Sequence, residues 1–151
     1  MKKHIITLRQ SFAIAFFILT SYCSVTAQQI ITVKTKSNAL VLQVTPGKEV
    51  NTIYLGEKLA NDSDYAKIQA QFRQGTDYSG VYNAAYTASG SKNLLEPAIT
   101  VTHADGNTSL DLLYVRHETN KISTGVFQTD ITLKDPVYPV EVHLFIQSYF
   151  D

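Results

Sequence analysis

Three of the four histidines, a run of tyrosines and a scatter of acidic residues are the side chains here whose types could do chemistry. His103, His117 and His143 stand 14 and 26 residues apart, and three imidazoles around an open fourth position would make a catalytic zinc site. That spacing fits no local ligand motif, and each histidine also suits a half-exposed strand position, so no metal is expected. Asp105-Gly106-Asn107-Thr108-Ser109-Leu110-Asp111 sets oxygen side chains at alternate positions, as a calcium loop begins. Such a loop needs Gly at its sixth position and Glu at its twelfth, where Leu110 and Arg116 stand, so the segment is read as a turn. Asp62 with Asp64, Asp77, and Asp130 with Asp135 could supply the paired carboxylates that acid–base hydrolysis uses. These acids fall mostly at turns and caps, where Asp is expected for backbone reasons. No Gly-x-Ser-x-Gly elbow is present, no catalytic residue is assigned, and no cofactor is expected.

Tyr65, Phe72, Tyr78, Tyr82 and Tyr86 crowd into one stretch of the chain. A tyrosine offers an apolar ring face and a hydroxyl edge, which suits a carbohydrate or a protein surface. Tyr78, Tyr82 and Tyr86 are therefore the candidates for a carbohydrate platform or a domain interface. Packing against a sheet edge or a neighbouring domain is the favoured of the two, since aromatic rings are ordinary packing material and Trp is absent from the chain.

The elements that must position these residues begin after an N-terminal leader. Lys2, Lys3 and Arg9 precede the apolar run Ser11 to Thr20, and Val25-Thr26-Ala27 places small residues before Gln28. Residues 1–27 read as a secretory signal peptide, because ten apolar residues are too few for the roughly 20 that span a bilayer. Cys23 raises a lipoprotein alternative, which the bulky Tyr22 before it disfavours. The mature chain, 28–151, is expected in the periplasm or outside the cell with no transmembrane segment. It carries 10 basic against 13 acidic residues and no cysteine. Without grouped Lys and Arg, nucleic acid is excluded as a partner.

Period-2 alternation and β-formers dominate the mature chain. Strands are expected over Ile30 to Lys34, Ala39 to Thr45, Val50 to Leu55, Ala98 to His103, Ser109 to Glu118, Thr124 to Leu133 and Val140 to Phe150. Asp62, Ser63 and Asp64 are expected to cap one short helix from Tyr65 to Phe72. Asp105-Gly106 suits a type I′ hairpin between two of the strands. The aromatic segment after Gly75 has no sustained period and reads as a long structured loop. Seven or eight strands with one short helix make an all-β fold, a β-sandwich. A last strand that stops at Asp151 without turn chemistry makes the sandwich look incomplete.

The run Pro97-Ala98-Ile99-Thr100-Val101-Thr102-His103-Ala104-Asp105-Gly106 resembles a hairpin in the N-terminal β-supersandwich domain of family 36 glycoside hydrolases, the α-galactosidases. Leu110 to Glu118, and Ile131-Thr132-Leu133-Lys134-Asp135-Pro136-Val137-Tyr138-Pro139 continuing to Tyr149 and Asp151, are similar to the same domain. Tyr54-Leu55-Gly56-Glu57-Lys58-Leu59 resembles its early segment. The resemblance implies a larger architecture in which a catalytic (β/α)₈ barrel and a further β-domain accompany the sandwich. It also implies retaining hydrolysis of terminal α-galactosides, with both catalytic aspartates on the barrel. A barrel takes about 250 residues, and the Lys-Trp-Asp segment that carries the family's nucleophile cannot occur in a chain without Trp. This chain alone is expected to be inactive, a packing surface for an absent barrel or a neighbouring subunit. A stand-alone secreted carbohydrate-binding module is the alternative.

Overall fold

The computed structural model describes residues 29–68, 83–90 and 96–150. The signal-peptide reading of residues 1–27 lies outside them.

The first sheet is built by two successive reversals. β1 (Gln29–Lys34) pairs antiparallel with β2 (Asn38–Val44), and β2 with β3 (Val50–Glu57). Thr35 closes the first turn by giving its hydroxyl to the Asn38 carbonyl and accepting the Asn38 N–H. In the second turn the left-handed residue is Lys48 at φ 63, while Gly47 keeps a negative φ. The register sets Ile31 opposite Leu42, Val33 opposite Leu40 and Val44 opposite Val50, so these residues share one face. A bulge between Val41 and Leu42 then re-aims the far half of β3.

The second sheet has β4 (Leu113–Ser123), β5 (Val126–Lys134) and β6 (Glu141–Tyr149), again all antiparallel. Ile131 and Leu133 of β5 join Ile31, Leu42, Val44 and Val50 in one buried cluster, flanked by Val142, Leu144 and Ile146 of β6. The two sheets therefore bury a common core, and each fully buried aliphatic side chain contributes about 1.5–3 kcal/mol. The opposite face of the first sheet buries Ala39 and Val41 under Tyr65.

Among the described residues, six strands in two three-stranded sheets bear out the all-β class, with three corrections in detail. The helix expected from Tyr65 to Phe72 is instead a 3₁₀ segment, Asp62–Lys67, with no side-chain cap; Ile68 is already extended and 69–72 lie outside the described residues. Tyr65 fixes this departure, because its ring is sealed in the core and its hydroxyl accepts the Leu59 N–H. Ala98 to His103 forms no strand, and the expected strand Ser109 to Glu118 starts only at Leu113 and runs on to Ser123. The segment around Ser89 takes the backbone groups a hairpin would have used: Thr87 O accepts from Ala98 N, and Ser89 O accepts from Leu110 N. The same segment, 83–90, lies along β3, where Asn83 O accepts from Thr52 N and Ala85 N donates to Val50 O, covering that edge of the sheet.

Candidate functional site

Among the described residues, a dense polar cluster forms where the β5–β6 connection meets the loop at residues 103–109. Asp135 follows β5 directly, and Pro136 stops the strand because it has no N–H for the ladder. The Asp135 side chain is buried and accepts three backbone N–H groups: those of Val137 and Tyr138 on Oδ1 and of Asp111 on Oδ2, each at 2.8 Å. Burial alone would raise its pKa, but the N–H groups of Tyr138, Asp111 and Val137, with His103 nearby, together hold it below the ordinary Asp value. Asp135 thus ties the lead-in of β4 to the β5–β6 turn.

His103 lies flat on Tyr138, ring centroids 3.5 Å apart and 9° from parallel. Its Nε2 meets the Ser109 carbonyl at 3.0 Å, so that nitrogen carries the proton. The Tyr138 hydroxyl donates to Asp105 Oδ2 at 2.8 Å and accepts from Asn107 Nδ2 at 3.0 Å. The Asn107 N–H and the Tyr138 hydroxyl lower the Asp105 pKa, and the same contact with Asp105 raises that of Tyr138. Asp105 and Asn107 each accept the backbone N–H two residues on, and the chain turns at 103–106 through Gly106 N to His103 O with Gly106 at φ 84; Asp105 has no positive φ, so this is not the expected type I′ hairpin. Each polar group in this latch has a structural partner, and its chemistry is that of a joint between two loops.

The other two histidines sit on opposite faces of the second sheet. His117 is opposite Ile131 on the inner face, and its Nδ1 meets the Tyr114 hydroxyl at 2.7 Å. Burial lowers its pKa. His143 is opposite Thr132 on the outer face, between Glu141 and Asp130. The structure does not bring His103, His117 and His143 together.

The acidic residues also part ways. Asp62 pairs with Lys34 and Asp64 with Lys67, Asp130 faces His143, and Asp135 serves the backbone. Asp77 lies outside the described residues. Of the three tyrosine candidates, Tyr78 and Tyr82 lie outside the described residues as well, while Tyr86 is half-buried against the main core. A cleft of about 160 Å³ opens at the far end of the sandwich, lined by Thr32, Lys34, Thr119, Thr129, Ser148 and the rings of Phe127 and Phe150. Small-molecule sites take roughly 300–1,000 Å³, and the Thr119 and Thr129 hydroxyls are already bonded to each other.

Asn107 and Tyr138 appear in the sequence runs above with no link between them, yet their contact completes the latch. An Asp two and three residues before chain N–H groups in Asp135-Pro136-Val137-Tyr138 is the signature of a side-chain-stapled turn, and it was available in the sequence.

Fold and polar cluster together define the class: among the described residues, a two-sheet antiparallel sandwich whose polar cluster staples loops. The family model described as the glycosyl hydrolase family 36 N-terminal domain matches residues 48–151, and the chain belongs to that family. Solved structures sharing the fold include GH36 α-galactosidase AgaB from Geobacillus stearothermophilus, with TM-score 0.63 and 19% identity, covering 86% of this chain and 20% of that one. AgaA from the same organism gives TM-score 0.65 and 17% identity over 81% of this chain and 20% of that one. The α-galactosidase from Lactobacillus brevis gives 0.64 and 16%, over 82% of this chain and 20% of that one. The chain therefore spans about a fifth of the length of these structures. No curated protein matches it by sequence.

Proposed function

We propose that the chain is the non-catalytic N-terminal domain of an exported α-galactosidase-like glycoside hydrolase, serving as the surface on which a catalytic barrel packs. The observation that carries this is the family match, which takes in β3, the 3₁₀ segment, the latch and the whole second sheet. Chain length supports it, since 151 residues cannot hold a barrel of about 250. In the complete enzyme the barrel's carboxylates would hydrolyse terminal α-galactosides with retention. The Tyr78, Tyr82 and Tyr86 segment is the proposed meeting surface with the barrel or a neighbouring subunit. The half-burial of Tyr86 on the core favours packing over a sugar platform.

Two measurements test this reading. Purified chain incubated with an aryl α-galactoside is expected to release no phenol above the buffer rate; turnover that follows the protein through purification would overturn the non-catalytic assignment. N-terminal sequencing of the chain from its secreting host is expected to start at Gln28, and an intact Met1 would overturn export through a cleaved signal.

A further inference from the structure

The outer face of the second sheet holds an imidazole between two carboxylates contributed by neighbouring strands. His143 Nδ1 lies 3.1 Å from Asp130 Oδ1, and Nε2 lies 2.8 Å from Glu141 Oε1. A carboxylate only accepts, and a neutral imidazole has one N–H and one lone pair. One of these two contacts would then set a lone pair against a carboxylate oxygen. Only the imidazolium donates on both sides.

We propose that His143 is a proton-dependent clamp, which as imidazolium fastens β6 to β5 and on losing its proton lets that join slacken. Asp130 is on β5, opposite Phe145, while Glu141 opens β6 opposite Lys134. The clamp therefore bridges the two strands at the start of β6, whose inner residues Val142, Leu144 and Ile146 cover the core. The imidazole also stacks on Phe145, centroids 5.9 Å apart and 16° from parallel. Phe145 is 60% exposed, so the titration is placed beside an exposed aromatic ring.

The charges facing His143 come from all three strands of this sheet. Arg116 and Glu118 on β4 stand opposite Thr132 and Asp130, and β5 adds Lys134 and β6 Glu141. Glu118, Asp130 and Glu141 outnumber Arg116 and Lys134 by one, and the imidazolium balances them. The pKa of His143 is raised accordingly, first by the Glu141 hydrogen bond and then by that of Asp130. A raised folded-state pKa contributes stability that is fully present below the ordinary histidine value of 6.5 and is lost as pH rises through the folded value above it.

The test is a proton NMR titration of the whole chain, with the His143 signal identified by its loss in His143→Gln. The signal is expected to titrate above pH 6.5 and to move down in both Glu141→Gln and Asp130→Asn. Urea melts at pH 6 and pH 8 give a second reading, in which His143→Gln is expected to shrink the stability difference between the two. A native titration at or below 6.5, or one that neither carboxylate variant moves, would overturn the clamp.

Discussion

Asp135 shows how much of the domain a single carboxylate can hold. Three N–H groups converge on it, and Asp135→Ala leaves all of them without that acceptor in a buried place. A loss of about 3 kcal/mol is expected from chemical denaturation, and about 1 kcal/mol for Asp135→Asn, which keeps one acceptor oxygen. An Ala variant as stable as the parent would show that water replaces the side chain. Because the Asp135 pKa is lowered, its contribution is present above the unfolded value near 4 and lost as pH falls through the folded value beneath it. His117 behaves differently from His143. Burial holds its pKa below 6.5, so it costs stability as pH drops from 6.5 towards its folded value. The His117 ring is expected to titrate below 6.5 by NMR, and a value above 6.5 would contradict its placement on the inner face. Residue types alone flagged His103, His117 and His143, yet Asp130 reaches His143 from the neighbouring strand 13 residues away and His117 meets Tyr114 by side-chain direction, neither of which a sequence displays.

The strands legible in the sequence were those with alternating apolar residues. β1, β2, β3, β5 and β6 all lie within two residues of their expected bounds at each end. The second half of β4 was missed because Glu118 to Lys121 is polar throughout and mostly exposed, leaving no alternation to read. The hairpin at Gly125, φ 71, explains why it is a strand even so: Thr124-Gly125 turns the chain and β5 supplies the ladder. The segment 83–90 was unreadable for another reason, since its order comes from backbone bonds to β3, Ile99 and Leu110 instead of from its own pattern. Gly90 in that segment has little room for a side chain. At φ 142, an added Cβ would sit 3.1 Å from the Leu110 nitrogen and 3.3 Å from the Ser109 Cα. Gly90→Ala is expected to cost about 2–3 kcal/mol, against about 1 kcal/mol for Gly125→Ala, whose nearest neighbour would be 3.9 Å away. Equal thermal shifts for the two variants would mean that the 83–90 segment moves aside freely.

The two sheets share one buried cluster, and the domain is therefore expected to unfold as a single cooperative body. Leu42 on the first sheet and Ile131 on the second are both almost fully buried within it. Leu42→Ala and Ile131→Ala are each expected to cost about 2–5 kcal/mol and to lower one common melting transition. Two separate transitions, each moved by one variant only, would show that the sheets fold apart. The all-β class was legible because the period-2 signal repeats along the chain. The grouping into two sheets of three was not, because strand pairing across the aromatic segment depends on distant backbone contacts. The family was also legible, in the Asp135-Pro136-Val137-Tyr138-Pro139 run whose conformation the latch now explains. The proposal that this domain serves a catalytic barrel is tested most directly by reading the genomic DNA downstream of the Asp151 codon in all three frames. A barrel-length coding stretch containing a Lys-Trp-Asp segment is the predicted result. A stop codon followed only by unrelated sequence would contradict it.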